Sequence, residues 1–495
     1  MREWTWIIMA AFGASTGGAS AAPGKSEPPS ELEMCRAVIE CCKPLARPRG
    51  NRLPLYACPV RGVAPAGDPE AEQALRDLDA RGIALFTRWN PAESQREASL
   101  AEALRIGKMQ KRLGLAVSVD ATRCFYQFCD GSPQTAHIDE KGEPFFDLSF
   151  SPTRKMGCPF ALEGQWPRVR AQLECFGEAY KKEGLEPDMI WGDWEIDGPM
   201  EWNDAWANSK RCARCRQNIP NIEDFRSFQA ALREVRATMQ REVFVKTLKS
   251  YFPKALIGNY AEYPCGGARY WYDWFEKLPE GAPFIADRKA RHRPWHEAFA
   301  QTGYTVAMPV IYTWSYIFSD YDFADTDYRW AYNMLQVASD AAKSRDEKAP
   351  GIPLTPFVHW TTTAHSPELI PPGLVDLSER GYREVLWHTL LRGADTLIMW
   401  CRADLEQIRK EMRPVHEVWA ASLEYADFLE KGKPIAFNVP ADPADVISGL
   451  ALGDKVLVRR SHFGAAAAAA VSIVFEGKTI RIPAFTDECR VLGFE

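Results

Sequence analysis

The stretch Asp188-Met189-Ile190-Trp191-Gly192-Asp193-Trp194-Glu195-Ile196-Asp197-Gly198-Pro199 begins as an apolar run and ends in a cluster of carboxylates. A strand buried on both faces reads this way when its carboxyl end opens into a polar site, as in a parallel barrel. Side chains alternate across a strand, so Trp191, Asp193 and Glu195 share one face, while Ile190, Gly192 and Trp194 share the other. The two acids then stand side by side, about 7 Å apart. Like charges at that spacing, half out of water, resist double ionisation. One of the pair is therefore expected to keep its proton near neutral pH and to serve as a general acid. The structural alternative is a strand end whose acids cap the next helix or pair with arginines.

On either side of this stretch the pattern alternates between short apolar runs and helical periodicity. Upstream, Gly82–Trp89 reads as a strand, residues 95–112 as a helix with Gly114 beyond its end, and Leu115–Val119 as the next strand with Asp120 at its mouth. Residues 167–183 read as a helix opened by Pro167. Downstream, Phe228, Leu232, Val235, Met239, Val243, Phe244 and Leu248 recur at helical spacing and stop before Pro253. The strand Ala255–Tyr260 follows, then Thr305–Tyr312, a helix over 328–344, Leu354–Trp360, a helix opening at Ser378, and the strand Thr396–Trp400. Strands separated by helices or long connections predict a (β/α) barrel of seven or eight strands. An open doubly wound sheet is the competitor, but no Gly-x-Gly-x-x-Gly turn follows any strand.

Two connections, Thr122–Trp166 and Asp197–Asn221, are too long for ordinary linkers and are expected to lie over a site. Beyond Arg413-Pro414 one more helix, Glu417–Lys431, precedes a change of character. Asp445–Leu452, Val456–Arg460, Ala469–Phe475 and Lys478–Ile482 alternate with glycine-containing turns, which predicts a small C-terminal β-sandwich. The organisation expected is a signal segment over 1–21, an irregular N-terminal stretch over 22–60 rich in proline, a barrel over 61–431 and a β-sandwich over 432–495.

The chain has 495 residues, 46% of them hydrophobic, enough to bury a large core. Its net charge of −6 argues against nucleic acid as a partner. Residues 1–21 carry a basic start, an apolar Trp4–Phe12 and a small-residue end, Ala19-Ser20-Ala21, the pattern of a secretory signal. A secreted or periplasmic protein with no membrane span is expected. Export permits disulfides, and 13 cysteines are a high, odd number; Cys124/Cys129 and Cys212-x-x-Cys215 are the local candidates. Cys212 and Cys215 lack a second ligand pair within about 20 residues downstream, so no metal or other cofactor is assigned.

In a parallel barrel the residues closing each strand converge on one face. They are Arg88 and Trp89, Asp120, Asp193 and Glu195, Tyr260 and Glu262, Tyr312 and Trp314, His359 and Trp360, and Trp400. A carboxylate pair walled by tyrosine and tryptophan suits a sugar ring, whose apolar faces stack and whose substituents hydrogen-bond to phenols. The 17 tryptophans point the same way. The basic stretch Arg288–Arg293 reads as a solvated face or as a holder of a uronate or sulfate group.

At these residues the chain resembles the hyaluronidases, glycosidases typified by the bee-venom and sperm-surface enzymes. Asp193-Trp194-Glu195 matches that family's Asp-aromatic-Glu, and Gly258-Asn259-Tyr260-Ala261 its Gly-Tyr-Tyr-Ala. Pro309–Tyr312 matches its Pro-x-x-Tyr, and Gly393-Ala394-Asp395 with Ile398-Met399-Trp400 its Gly-Ala-Asp and Ile-Ile-Trp. The resemblance spans roughly Ile83–Cys401. It implies Glu195 as proton donor, Asp193 as the group that shares its proton and orients a substrate N-acetyl group, Tyr260 and Tyr312 as contacts of the acetamido sugar, and Trp400 as the pocket wall. Trp191, Glu262, Trp360, Arg88 and Asp120 are the further substrate-binding candidates.

In such enzymes the substrate's own acetamido oxygen is the nucleophile. The expectation is thus a glycoside hydrolase acting on an oligo- or polysaccharide that contains 2-acetamido sugars. The alternatives are a two-carboxylate glycosidase using Glu262 or Asp120, and a carbohydrate-binding barrel without turnover. The chain departs from the family after Glu195, where Ile196-Asp197-Gly198-Pro199 replaces Trp-Arg-Pro. It departs also in its longer loops, its cysteines and its β-rich C-terminal part.

Overall fold

The computed structural model describes residues 28–126, 128–148, 153, 155–194, 205–267, 296–363, 370, 373–441, 445–464 and 469–495. Two parallel sheets form the larger part. In one, the order is β2 (Ile83–Ala84), β1 (Leu55–Ala57), β11 (Ile398–Met399), β10 (Phe357–Thr363) and β9 (Val310–Trp314). In the other it is β3 (Phe86–Arg88), β4 (Ser118–Asp120), β7 (Met189–Gly192) and β8 (Leu256–Asn259). Every neighbour is parallel, with Arg88 opposite Asp120, Asp120 opposite Trp191, and Trp191 opposite Gly258.

The sheets are linked at both edges. Leu85 alone separates β2 from β3. At the far edge the Thr305 N–H donates to the Ile257 carbonyl at 2.9 Å, and the Ala307 N–H donates to the Pro353 carbonyl at 2.8 Å. That approach requires glycine at 258, because a Cβ there would stand 2.5 Å from Val306 Cγ1 and 2.6 Å from Met308 Sδ. Between the sheets the aromatic rings meet: Tyr56 stacks on Phe86 at 4.4 Å, Phe86 lies 5.5 Å from Trp191, and Trp191 lies 5.1 Å from Phe357. Trp191 is thus core, 1% exposed, between the two sheets.

The helices follow from local chemistry. Gly114 ends Arg96–Leu113 in the left-handed conformation, φ 69°, where a glycine carries no Cβ penalty. Ser378 caps Glu379–Leu391 by accepting from the Gly381 N–H at 3.0 Å. The long periodic segment forms Phe225–Met239 and Lys246–Tyr251, joined by a π-helical turn, Gln240–Val245.

Four expectations are corrected. Residues 22–60 are not irregular throughout: Glu31–Cys41 is a helix with a Ser30/Glu33 capping box, and Leu55–Ala57 is a central strand. The prolines that obscured them, Pro44, Pro48 and Pro54, lie between the two elements. The helix expected over Glu417–Lys431 is two: a short one over Ala426–Lys431 and, before it, one that starts at Leu405, capped by Asp404, and runs through Pro414 to Ser422. A proline there removes one donor without ending the helix, because packing of Ile408, Met412 and Val415 in the core carries it onward. A last strand, β17 (Glu488–Gly493), was not anticipated, since its residues are mostly exposed and show no apolar run. Cys124, Cys212 and Cys215 are in no disulfide, so neither local candidate pair is bridged. Cys124 lies buried with its thiol toward the Trp89 carbonyl.

At the C-terminus, β12 (Lys433–Pro434), β13 (Asp445–Leu452), β14 (Lys455–His462) and β17 form an antiparallel sheet. A hairpin, β15 (Val471–Phe475) with β16 (Lys478–Ile482), packs on it through Val456, Val458, Ile480 and Ile482. Among the described residues, no helix is long and apolar enough to cross a membrane.

Candidate active site

The carboxyl ends of the parallel strands bring together most of the side chains singled out from the sequence. Asp193 follows the last residue of β7 and is 4% exposed. Its backbone is fixed from two sides: the Asp193 N–H donates to Thr122 Oγ1 at 3.0 Å, and the Tyr126 hydroxyl donates to its carbonyl at 2.6 Å. Asn259, at the end of β8, accepts from the Trp194 N–H at 2.8 Å. The carboxyl itself is left open, with Oδ1 buried and unpartnered among the described residues. Burial first, and the nearby Asp120 charge second, push its pKa up to about 7, against the pull of Arg61.

Asp120 is the opposite case. It is 1% exposed, and burial alone would raise it, but Arg61 and Arg88 outweigh that and hold it below its ordinary value. Arg61 Nε lies 2.9 Å from its Oδ2, and the Thr122 N–H donates to its Oδ1 at 3.0 Å. Two neighbouring acids thus part in opposite directions, one ionised and one titrating near neutrality.

The aromatic wall is continuous. Tyr260 lies 6.2 Å from Tyr312, Tyr312 stacks on Trp400 at 5.3 Å and 22°, and His359 meets both edge-on at 5.5 and 5.0 Å. His359 Nδ1 lies 3.1 Å from the Trp400 carbonyl and 3.2 Å from Glu411 Oε1. Both neighbours are acceptors, so Nδ1 carries the proton. Glu411, fully buried, accepts from the N–H groups of Trp360 and Thr361 at 2.7 and 2.6 Å. Burial would raise its carboxyl, but His359 and those donors hold it below the ordinary value.

Glu262 follows Ala261, whose φ of 60° is a left-handed conformation that costs a side-chain-bearing residue about 1–3 kcal/mol. The turn presents Glu262 to Arg236 at 2.8 Å, both groups nearly fully buried. Removing one partner of such a pair costs about 3–5 kcal/mol.

Two candidates sit elsewhere. Trp191 is in the aromatic core. Trp360 points outward, its indole N–H donating to the Leu377 carbonyl at 2.7 Å and its ring stacked on Tyr382 at 5.7 Å. Alternation along β10 explains this, since His359 takes the inner face and leaves its neighbour the outer one. Glu195 and the basic stretch Arg288–Arg293 lie outside the described residues, as do residues 1–27 with their signal pattern.

Glu411 and Arg61 were missed by the sequence reading, because one sits in a helix and the other in a loop beyond an unrecognised strand. Also missed was a set of metal-ligating side chains: His137, Cys158, Cys212 and Cys215 are all buried, with their ligand atoms within 4.8 Å of one another. The second pair for Cys212 and Cys215 lies upstream in sequence, where the spacing rule did not look.

A cavity of about 700 Å³ is found away from the strand ends, lined by Trp166, Phe160, Glu163, Glu234 and Thr238 among others. No protein-family model matches the chain, and no curated protein matches it. Among solved structures it is similar to the β-galactosidase of the psychrophilic Marinomonas ef1, with 14% identity and a TM-score of 0.45 over 77% of this chain and 62% of that one. It is similar also to a β-galactosidase of the Antarctic haloarchaeon Halorubrum lacusprofundi, with 12% identity and a TM-score of 0.46 over 77% and 59%. A third is the isomaltulose synthase SmuA of Protaminobacter rubrum, with 9% identity and a TM-score of 0.40 over 94% and 100%. The chain spans about three fifths of the length of the two galactosidases it matches.

Proposed function

We propose that the protein is an exported glycoside hydrolase, built on a closed eight-stranded barrel, that cleaves a glycan at a 2-acetamido sugar by substrate-assisted catalysis. The observation that carries the reading is Asp193. It is a buried carboxyl with an unpartnered oxygen, held near a pKa of 7 two residues before Glu195 and backed by the Tyr260–Tyr312–Trp400 wall. In this reading Glu195 protonates the glycosidic oxygen. Asp193 shares its proton with Glu195 and accepts the acetamido N–H as the acetamido oxygen attacks the anomeric carbon and the protonated alcohol leaves; water, deprotonated by Glu195, later opens the resulting oxazolinium ring.

The scheme asks for no carboxylate nucleophile from the protein. That agrees with the state of the other acids at the mouth: Asp120 is paired with Arg61, Glu262 with Arg236 and Glu411 with His359. A buried carboxylate already held by an arginine or by hydrogen-bond donors is a poor nucleophile, which weighs against the two-carboxylate alternative. The likeness of Asp193-Trp194-Glu195 and the later strand ends to the hyaluronidases supports the same substrate class.

The test is hydrolysis of a glycan panel that includes hyaluronan, chondroitin and chitin oligomers, with and without an N-acetyl thiazoline inhibitor. Cleavage of acetamido-containing glycans, inhibited by the thiazoline and abolished by Glu195→Gln with binding retained, is the expected result. Cleavage confined to glycans without acetamido groups and indifferent to the thiazoline would overturn it. So would binding without turnover by the unmodified protein.

A further inference from the structure

We propose that His137, Cys158, Cys212 and Cys215 form a structural zinc site that ties together the two long segments following β4 and β7.

The geometry is that of a tetrahedral ion's ligand shell. Zinc bound at about 2.3 Å by each thiolate holds tetrahedral sulfurs about 3.8 Å apart. Cys158 Sγ lies 3.7 Å from Cys215 Sγ, Cys212 Sγ lies 3.8 Å from Cys158 Sγ, and His137 Nδ1 lies 3.9 Å from Cys215 Sγ. A disulfide needs about 2.05 Å, so these sulfurs stand at a ligand-to-ligand distance, not a bonding one. Three cysteines around one centre also cannot all be paired with one another, whereas three thiolates and an imidazole complete a closed zinc shell.

The surroundings are built. All four side chains are 0% exposed. His137 turns Nδ1 toward the sulfurs, so that nitrogen is the one that would bind the ion. The ring is clamped in place, stacked on Phe145 at 5.2 Å across the small hairpin β5 (His137–Ile138) and β6 (Pro144–Phe145). Cys158 is presented by a backbone contact only glycine allows, since a Cβ on Gly157 would stand 2.5 Å from the Thr135 carbonyl oxygen. Through that approach the Cys158 N–H donates to the Thr135 carbonyl at 2.7 Å. Cys212 precedes the helix Ala213–Asn218, and Cys215 lies in its first turn, so the Cys-x-x-Cys spacing folds both thiols to one side.

The ligands come from two places in the chain, His137 and Cys158 from the connection after β4, Cys212 and Cys215 from the connection after β7. Among the described residues the first connection holds short 3-10 turns and the hairpin β5–β6, and the second holds two short helices, Ala205–Arg211 and Ala213–Asn218; a shared ion would tie these pieces together. The first of them also supplies Thr122 and Tyr126, which hold the Asp193 backbone.

The experiment is metal analysis of the purified full chain, produced in zinc-supplemented medium and reduced before dialysis. The expected result is one zinc per chain. Replacement by cobalt should give the sulfur-to-metal charge-transfer and intense visible bands of a tetrahedral thiolate site. The double variant Cys212→Ser, Cys215→Ser should lose the metal, while Cys175→Ser, outside the cluster, should keep it. Limited proteolysis should cut residues 122–165 faster once a chelator has removed the ion, with cutting of the C-terminal sheet unchanged. Absence of both zinc and the cobalt bands in the unsubstituted protein would overturn the proposal without reliance on any variant that fails to fold. Peptide mapping that finds two of the three cysteines bridged in the native protein would overturn it as well.

Discussion

Where the helix Glu379–Leu391 meets the C-terminal sheet, charged and polar groups are buried as deeply as at the strand ends, yet each has its partner. Glu384 receives Arg459 at 2.8 and 2.5 Å and the Ser461 hydroxyl besides. His388 sits between Ser448 Oγ and Ser461 Oγ at 2.8 Å each. Arg392 reaches Ser448 at 2.8 Å and the carbonyls of Phe437 and Asn438 at 3.1 Å. At the strand ends the same residue types stop one bond short: Asp193 keeps a buried oxygen without a partner. Burial with full pairing glues two parts of a protein together. Burial with one bond withheld stores an unsatisfied group for a substrate to meet.

Substitutions should separate the two regions. Asp193→Asn removes the group that shares a proton and should lower kcat by about 10²–10⁴-fold while leaving the denaturation midpoint unchanged or higher, read by steady-state hydrolysis and by urea unfolding. Glu384→Ala should do the reverse. It strands Arg459 in the interior and should cost about 3–5 kcal/mol of stability, with kcat/KM of the folded protein unaltered.

The two regions should also answer pH with opposite signs. Asp193 has a folded value near 7 against an ordinary 3.8, so the folded chain retains a proton that the unfolded chain has released. Its contribution to stability is complete below about pH 4 and disappears as pH rises to 7. The advantage in stability of Asp193→Asn over the unsubstituted protein should therefore grow as pH rises through that window. His388 is held well below its ordinary 6.5 by burial first and by Arg392 and Arg459 after it. Its contribution is present above 6.5 and declines as pH falls beneath that value, a decline that His388→Gln should abolish. Chemical denaturation at a series of pH values reads both slopes, and slopes of the same sign would erase the contrast. The smallest effect expected is on binding: Trp400→Ala should weaken sugar affinity by about 1 kcal/mol, measured by calorimetry, with little change in kcat.

The alternation of strands and helices was legible because each strand core is a short apolar run and each helix carries its own stop, such as Gly114 or Pro253. Asp193, Asp120, Tyr260, Tyr312 and Trp400 were legible because a parallel strand places its last inward side chain at the mouth. What could not be read was anything fixed by partners distant in sequence. Leu55–Ala57 is three residues long and is a strand only because β11 and β2 flank it. Trp360 and His359 are adjacent letters, and only the register of β10 decides which faces inward. Glu411 looks like any acid in an amphipathic helix until His359 arrives beside it. The His137–Cys215 cluster spans nearly eighty residues, so local spacing hid it.

The π-helical turn Gln240–Val245 has its own consequence. An extra residue in one turn offsets everything before it from everything after it by about 100° around the helix axis. That offset lets one rod hold Arg236 against Glu262 and also set Phe244 against Phe125, 4.7 Å away. Deleting a single residue there would leave a smoother helix and a poorer protein, for it would swing the guanidinium off its carboxylate or the phenyl ring out of the core.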